Sequence, residues 1–175
     1  MAGRATRIIG IDPGLRKTGW GVIESDGVRL TYVASGQIKA PTEPALSVRL
    51  ADIFRELTTV LATYTPDEAA VEETFVNDNA RATLKLGQAR GAAMLAPAMQ
   101  GLRVAEYAPN LIKKSVVGSG HADKTQITTM IGFLLPRADV SSSDEADALA
   151  IAICHANHRA GLRALEKVSA AGGAK

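Results

Sequence analysis

The feature that most constrains the fold is an apolar run near the N-terminus that ends in a carboxylate. Residues 7–12 read RIIGID, and Pro13 and Gly14 follow Asp12 directly. A short run rich in isoleucine predicts a buried strand, and the Pro-Gly pair predicts a sharp turn after it. Asp12 therefore either forms that turn or holds a ligand at the end of the strand.

Two further strands are predicted directly after the first one. Residues 19–25 and 30–39 have strand-like patterns, and Asp26-Gly27 between them is typical of a hairpin turn. Together with residues 7–12, these segments predict an antiparallel meander.

The hydrophobic pattern changes to helical spacing after Pro44, and only two later segments, 68–75 and 102–108, remain strand-like. Ser142 or Ser143 is the expected cap of the last helix, and Pro97 predicts a kink or a stop near the end of the second. The helices are expected at 45–64, from about 79, and at 110–117, 124–135 and 144–160.

The order β-β-β-α-β-α-β-α predicts an α/β fold with a mixed five-stranded sheet and helices on both faces. Strands one, four and five are then parallel neighbours. With 175 residues and no linker, the chain is expected to form one domain over residues 1–160, followed by a disordered tail over 161–175.

Composition excludes several classes of protein. The single cysteine, Cys154, rules out an intrachain disulfide and fits a reducing compartment. No signal peptide is visible, and no apolar run approaches the roughly 20 residues of a membrane-spanning helix. We therefore expect a cytoplasmic protein without a membrane partner.

Charge is unevenly distributed along the chain. Residues 75–124 contain seven basic and three acidic residues, a net charge of +4 against +2 for the whole chain. This local excess suits a polyanion such as DNA. A solvated face of mixed charge explains it equally well.

Three more carboxylates are expected near Asp12. Glu72 lies near the end of an otherwise apolar strand, and Asp144 and Asp147 share one face of the first turn of the last helix. Ligands of open α/β sheets bind beyond the carboxyl ends of the parallel strands. Acidic residues also stabilise a helix N-terminus without binding anything, so a structural role stays open for the last two.

Four carboxylates packed together repel one another unless a cation lies between them. Oxygen ligands without histidine or cysteine favour Mg²⁺ or Mn²⁺ over zinc. The other chemistry-bearing residues do not compete: Cys154 is expected to be a buried apolar residue, and the stretch 118–125 lacks the glycine of a phosphate-binding loop where Asp123 stands. The three histidines, His121, His155 and His158, are expected on helix surfaces, in the core or in a loop.

The chain closely resembles the RuvC-type Holliday junction resolvases, which are bacterial endonucleases with an RNase H-like fold. The resemblance covers most of residues 8–156 and extends to the order and spacing of the motifs. The matching segments are GIDPGLRKTGWGVIE, AVEETFVNDNARATLKLGQARG, EYAPNLIKKSVVGSGHADKTQI and SSDEADALAIAICHA.

The resemblance implies roles for individual residues. The metal-binding tetrad would be Asp12, Glu72, Asp144 and Asp147, although some members carry histidine where Asp144 stands. Lys113 and Lys124 would lie close to the scissile phosphate, with solvated surface lysines as the alternative for Lys113 and Lys114. Phe75 would pack against bases at the junction centre, and the remaining residues expected to approach DNA are Asn79, Arg81, Lys85 and Lys114.

A two-metal mechanism follows as a hypothesis. Two Mg²⁺ ions about 4 Å apart can serve an in-line displacement at phosphorus. Asp12 would be shared by both ions, Glu72 would hold one of them, and Asp144 and Asp147 would hold the other. The products would carry a 5′-phosphate and a 3′-hydroxyl. Lys124 would stabilise the transition state, and Lys113 would position the phosphate backbone.

A junction has near two-fold symmetry, so a homodimer would place two sites for paired nicks. The small-residue-rich helix from Asn79 is the expected dimer surface, unless it only packs on its own sheet. The resemblance also implies work with the RuvA–RuvB branch-migration complex. Three alternatives remain: another nuclease of the superfamily, a junction binder without cleavage, and an actin-like ATPase, for which the chain is too short.

Overall fold

The computed structural model describes residues 4–42, 45–73 and 78–172, with side chains up to residue 161. Its centre is a five-stranded mixed sheet in the order β3-β2-β1-β4-β5, with helices on both faces. The predicted fold class is therefore confirmed. The strands are β1 (Thr6–Asp12), β2 (Lys17–Ser25), β3 (Leu30–Lys39), β4 (Glu68–Glu72) and β5 (Val104–Tyr107).

The meander and the parallel pairing were both predicted correctly. β1, β2 and β3 pair antiparallel, and Asp26 closes the hairpin by accepting hydrogen bonds from the amides of Val28 and Arg29. β4 pairs parallel with β1 on one side and with β5 on the other. β4 ends at Glu72, short of the predicted 68–75, and residues 74–77 lie outside the described part.

Two hydrophobic cores lie on the two faces of the sheet. One face packs against the last three helices and the other against the first two, as alternate residues of β1 require: Ile8 enters the first core, whereas Ile9 and Ile11 enter the second. In the described ranges no helix is apolar enough over sufficient length to cross a bilayer. The helices are α1 (Leu46–Tyr64), α2 (Ala80–Met99), α3 (Pro109–Val117), α4 (Lys124–Leu134) and α5 (Ser143–Gly172).

Helix ends follow local sequence. Ser142 caps α5, since its hydroxyl accepts a hydrogen bond from the Glu145 amide. Asp123 and Gln126 form a capping box at the start of α4. Pro97 lies inside α2 and does not end it, because the helix continues for two more residues to Met99.

The last helix is longer than predicted. We expected it to end near residue 160, but its backbone stays helical to Gly172. Residues 162–168 read LRALEKV, which are mostly good helix formers, so nothing in this segment terminates the helix. The division into a domain over 1–160 and a tail stays a prediction.

A buried ionic network joins α5 to β4 and β5. Arg159 donates two hydrogen bonds of 2.9 Å to the carboxylate of Glu68, and His155 Nε2 lies 2.8 Å from the same group. Tyr107 Oη lies 2.8 Å from the other ring nitrogen of His155. Burial alone would raise the pKa of Glu68, but the hydrogen bonds from Arg159 and His155 lower it to about 2.

Replacing Glu68 by glutamine should lower the free energy of unfolding by about 3 kcal/mol, because Arg159 then keeps a buried charge without its counter-ion. The folded-state pKa of Glu68 lies below the ordinary value of 4.5. The loss should therefore be complete above that pH and should shrink as the pH falls from 4.5 towards 2. Urea denaturation across this range measures it.

Asp52→Asn is the matched control. Asp52 pairs with Arg55 on an exposed turn of α1, and surface pairs of this kind contribute at most about 0.5 kcal/mol. Equal losses for both variants would contradict a special role for the buried network.

Candidate metal centre and DNA-binding cleft

Asp12 and Glu72 lie side by side at one edge of the sheet. β1 and β4 run parallel with Ile11 opposite Val71, so the next residue of each strand is a carboxylate. Both side chains are partly buried. The carboxyl ends of parallel strands form the usual ligand-binding edge of such sheets.

Glycines bring α5 onto β1 and β2. A β-carbon at Gly19 would overlap the carbonyl oxygen of Asp144, and one at Gly10 would overlap that of Ala148. The helix backbone therefore rests directly on the strands. Its first turn, with Asp144 and Asp147, is thereby held next to the end of β1.

Side chains of β3 hold the first turn of α5 from the other side. Gln37 donates a hydrogen bond to the Asp144 carboxylate, and Ser35 donates one of 2.8 Å to Glu145. Glu145 also accepts hydrogen bonds from Ser141 and Ser142, so this third acidic residue is used structurally.

The four carboxylates interact electrostatically. Burial, followed by the negative charges of Asp147, Glu72 and Asp144, raises the pKa of Asp12 to about 8. Burial and Asp147 also raise the pKa of Glu72. Asp12 therefore lies close enough to the other three carboxylates for their charges to perturb it.

Two lysines counter this charge. Lys124 Nζ lies 3.3 Å from Asp147 Oδ2, and Asp147 raises the pKa of Lys124. Lys113 and Lys124 both act against the rise in the pKa of Glu72. Lys124 is the first residue of α4, so the capping box at the start of this helix fixes the position of its backbone.

A cleft of about 570 Å³ opens at this edge. Acidic groups and two lysines line it together, so it can accept a phosphate between cations and carboxylates. Its lining residues are Asp12, Glu72, Pro109, Ile112, Lys113, Ala122, Asp123, Lys124, Ile127, Asp147 and Ala150.

The donor set fits a hard divalent cation. All four groups are carboxylates, and the raised pKa of Asp12 shows how much its negative charge would gain from a neighbouring cation. Among the described side chains, no group of three or more His, Cys, Asp or Glu residues is already arranged as a metal site.

The other residues predicted to contact DNA differ in where they lie and in what they contact. Lys113 lines the cleft, whereas Lys114 is exposed and does not. Asn79 caps α2, with its side chain accepting a hydrogen bond from the Ala82 amide. Arg81 and Lys85 are exposed on the first turns of α2. The sixth predicted contact, Phe75, lies outside the described residues.

Two supporting residues escaped the sequence analysis. Gln37 reaches Asp144 only because β3 pairs with β2, and no local motif indicates it. Arg90 donates a hydrogen bond of 2.8 Å to the backbone carbonyl of Glu72 and also pairs with Glu106. Its position in the basic stretch was visible in the sequence, but its contact with the end of β4 was not.

Similarity to known proteins agrees with this geometry. The family model described as crossover junction endodeoxyribonuclease RuvC matches residues 8–155. A curated RuvC of Rhodopseudomonas palustris strain BisA53 is 63% identical over 164 residues, which cover 94% of each chain. One of Azorhizobium caulinodans is 62% identical over 91% of this chain and 94% of the relative.

Solved structures agree as well. RuvC of Thermus thermophilus matches with a TM-score of 0.78 and 32% identity, covering 89% of this chain and 96% of that one. The same protein in complex with a Holliday junction substrate matches with a TM-score of 0.82 and 31% identity over 88% of this chain and 94% of that one. The chain belongs to the RuvC family of crossover junction endodeoxyribonucleases.

Proposed function

We propose that this protein resolves Holliday junctions by paired, symmetric nicks in homologous recombination and DNA repair. The observation that carries the proposal is the convergence of Asp12, Glu72, Asp144 and Asp147 at one edge of the sheet, beside a cleft with two lysines. Family membership supports the same activity.

Asp12, Glu72, Asp144 and Asp147 would hold Mg²⁺, with Mn²⁺ able to substitute and two ions per site. When bound, such ions activate water and stabilise the leaving 3′-oxygen. The negative charges of the other three carboxylates all act on Asp12, so Asp12 would be the ligand that both ions share. Gln37 orients Asp144 by its hydrogen bond, which leaves one carboxylate oxygen of Asp144 for a ligand.

We assign the two lysines of the cleft different roles in binding the phosphate. Lys124 is held beside Asp147 and the other carboxylates, so it can stabilise charge that develops on the phosphoryl oxygens. Lys113 lines the cleft next to Glu72 and would position the DNA backbone. Phe75, Asn79, Arg81, Lys85 and Lys114 remain proposed DNA contacts.

A homodimer through α2 would place two such sites on one junction. Ala89, Ala93 and Ala96 form the buried face of this helix. The opposite face exposes apolar residues and small ones in a single stripe, and a β-carbon at either glycine would meet nothing within 4 Å. The stripe consists of Leu84, Gly87, Gly91, Leu95 and Met99, of which the leucines and the methionine are 65%, 50% and 71% exposed.

We further propose that the protein acts together with the RuvA–RuvB branch-migration complex. It would do so in the bacterial cytoplasm, associated with the nucleoid during repair. This part of the proposal rests on family membership.

Cleavage of labelled DNA tests the proposed function. The substrates are a synthetic four-way junction, a linear duplex and an RNA–DNA hybrid, each with Mg²⁺ and with Ca²⁺. Paired ligatable nicks in the junction alone, with Mg²⁺ alone, are expected. Cutting of the hybrid without the junction, or tight junction binding without cutting in Mg²⁺ or Mn²⁺, would contradict the proposal.

Asp12→Asn should reduce junction cleavage on the order of 10³-fold while junction binding persists. It should also stabilise the metal-free protein at pH 8, on the order of 2 kcal/mol, because the folded-state pKa of Asp12 lies near 8 and ionisation there opposes folding. This gain should grow from pH 5 to pH 8. Cleavage assays and thermal unfolding in EDTA measure the two effects.

Asp139→Asn provides the control for this variant, since Asp139 is exposed and does not line the cleft. It should change neither cleavage nor stability. An Asp12→Asn protein that still cuts junctions at the normal rate would refute the metal role of Asp12.

Lys124→Ala and Lys113→Gln should behave differently. The first should slow single-turnover cleavage by about 10²-fold at saturating junction, because transition-state charge loses its partner. The second should mainly weaken binding and reduce the slope of log K against log salt by about 0.9. Arg137→Gln is the exposed control. Equal effects of the two variants on both quantities would show that this division is wrong.

Leu95→Glu should convert the dimer into a monomer, because it buries a charge at the centre of the apolar stripe of α2. Val48→Glu is the matched control: Val48 is 47% exposed, close to the 50% of Leu95, but it lies on α1. Light scattering after size-exclusion chromatography measures the mass. A monomeric wild-type protein, or a dimer in the Leu95 variant, would contradict this interface.

A further inference from the structure

Two lysines face each other across the β2–β3 pair. Lys17 and Lys39 are direct partners in the antiparallel register. Both are exposed, and neither side chain has a hydrogen bond or ion pair with any residue that the structure describes. Like charges directly opposite one another destabilise a sheet, so this pair carries a repulsive cost.

The pair lies on the same face of the sheet as α5, just beyond its first turn. Side chains on a strand alternate between faces. Gly19, two residues after Lys17, packs against Asp144, and Gln37, two residues before Lys39, donates to the same aspartate. Two residues of strand span about 7 Å, so the lysines lie close beside the carboxylates.

The two lysines of the cleft and the Lys17–Lys39 pair lie on opposite sides of Asp12. β1 with Asp12 lies between β4 with Glu72 and β2 with Lys17. The cleft lysines Lys113 and Lys124 lie on the Glu72 side of Asp12. Lys17 and Lys39 extend the positive surface on the other side, and neither lines the cleft itself.

Protection of an exposed sheet edge against pairing with another chain explains the Lys17–Lys39 pair only in part. Lysine on an edge strand discourages pairing with another chain, and β3 is an edge strand in the described sheet. Lys17 lies two residues before the first β2 residue that pairs with β1, so it is paired with β3 alone. Protection of the β3 edge needs only Lys39 and does not require a second lysine directly opposite it. Lys39 also lines a groove with Asp52 and Glu56 of α1, and Asp52 is already paired with Arg55.

We infer that Lys17 and Lys39 form a second phosphate-binding surface, which holds the DNA backbone on the β2–β3 side of the carboxylates. A phosphate between the two ammonium groups removes their repulsion and releases counterions from the DNA. The junction strand would then be held on both sides of the reacting phosphate, by Lys113 on one and by this pair on the other. The inference rests on the proposed function for its ligand, a nucleic-acid backbone.

The double variant Lys17→Gln/Lys39→Gln tests the inference. Binding to a four-way junction is measured in EDTA over a range of salt concentrations. The slope of log K against log salt should decrease by about 1.8, the value for two lost phosphate contacts. Thermal unfolding should show no loss of stability, because the substitution removes a repulsion.

Arg29→Gln/Arg137→Gln is the matched control. It removes two exposed positive charges at positions away from this edge, including the far end of the β2–β3 hairpin. Its slope should stay close to that of the wild-type protein. An unchanged slope in the lysine variant, or an equal decrease in both variants, would overturn the inference.

Single-turnover cleavage in Mg²⁺ separates binding from chemistry. At saturating junction the lysine variant should cleave at the wild-type rate. A slower rate with an unchanged salt slope would mean that the lysines act on the carboxylates instead of on DNA, and it would overturn the inference. A wild-type protein that never cuts junctions would refute the proposed function, whereas the metal-free slope would still test this surface.

Discussion

Direct contact between α5 and the β1–β2 pair is the constraint on which the rest of the structure depends. Gly10 and Gly19 have no side chain between strand and helix, so the helix backbone lies on the sheet. The contact extends to Gly21, where Leu149 occupies the space of a β-carbon. This packing brings two carboxylates of a distant segment beside Asp12. Any side chain at these glycines would lift the helix and move both carboxylates together.

The pKa values of two buried carboxylates shift in opposite directions at the two ends of the contact region. At one end, Glu68 receives hydrogen bonds from Arg159 and His155, which lower its pKa to about 2. At the other end, Asp12 is surrounded by carboxylates, and its pKa rises to about 8. Both residues are acids on neighbouring parallel strands. α5 supplies Arg159 and His155 at the first site, and Asp144 and Asp147 at the second, where Glu72 of β4 adds another acid. The first site is therefore a completed ion pair, whereas the second would gain from a cation.

The observed architecture also decides between the alternatives left open by the sequence. Asp12 ends a strand at the ligand-binding edge, beside three other acids, so a turn alone does not explain it. A structural role is clear for the neighbouring Glu145, whose carboxylate accepts hydrogen bonds from three serines. Membership in the RuvC family rules out an actin-like ATPase and favours junction cleavage over the other activities of the superfamily.

Local patterns were sufficient for most of the fold. The run that ends at Asp12, the Asp26-Gly27 turn and the helical spacing after Pro44 depend on neighbours within a few residues, so they can be read from the chain. The end of α5 was predicted less well, because Gly161 does not end the helix and residues 162–168 are mostly good helix formers.

The sequence by itself determined the strands, the helices, the family and the four carboxylates. Only the tertiary structure decided which side chains support those carboxylates. Gln37 meets Asp144 and Glu68 meets Arg159 across separations of 107 and 91 residues. Lys17 faces Lys39 because of a cross-strand register with a bulge between Val22 and Ile23. Such contacts depend on strand register and helix placement, which no periodicity within one segment encodes.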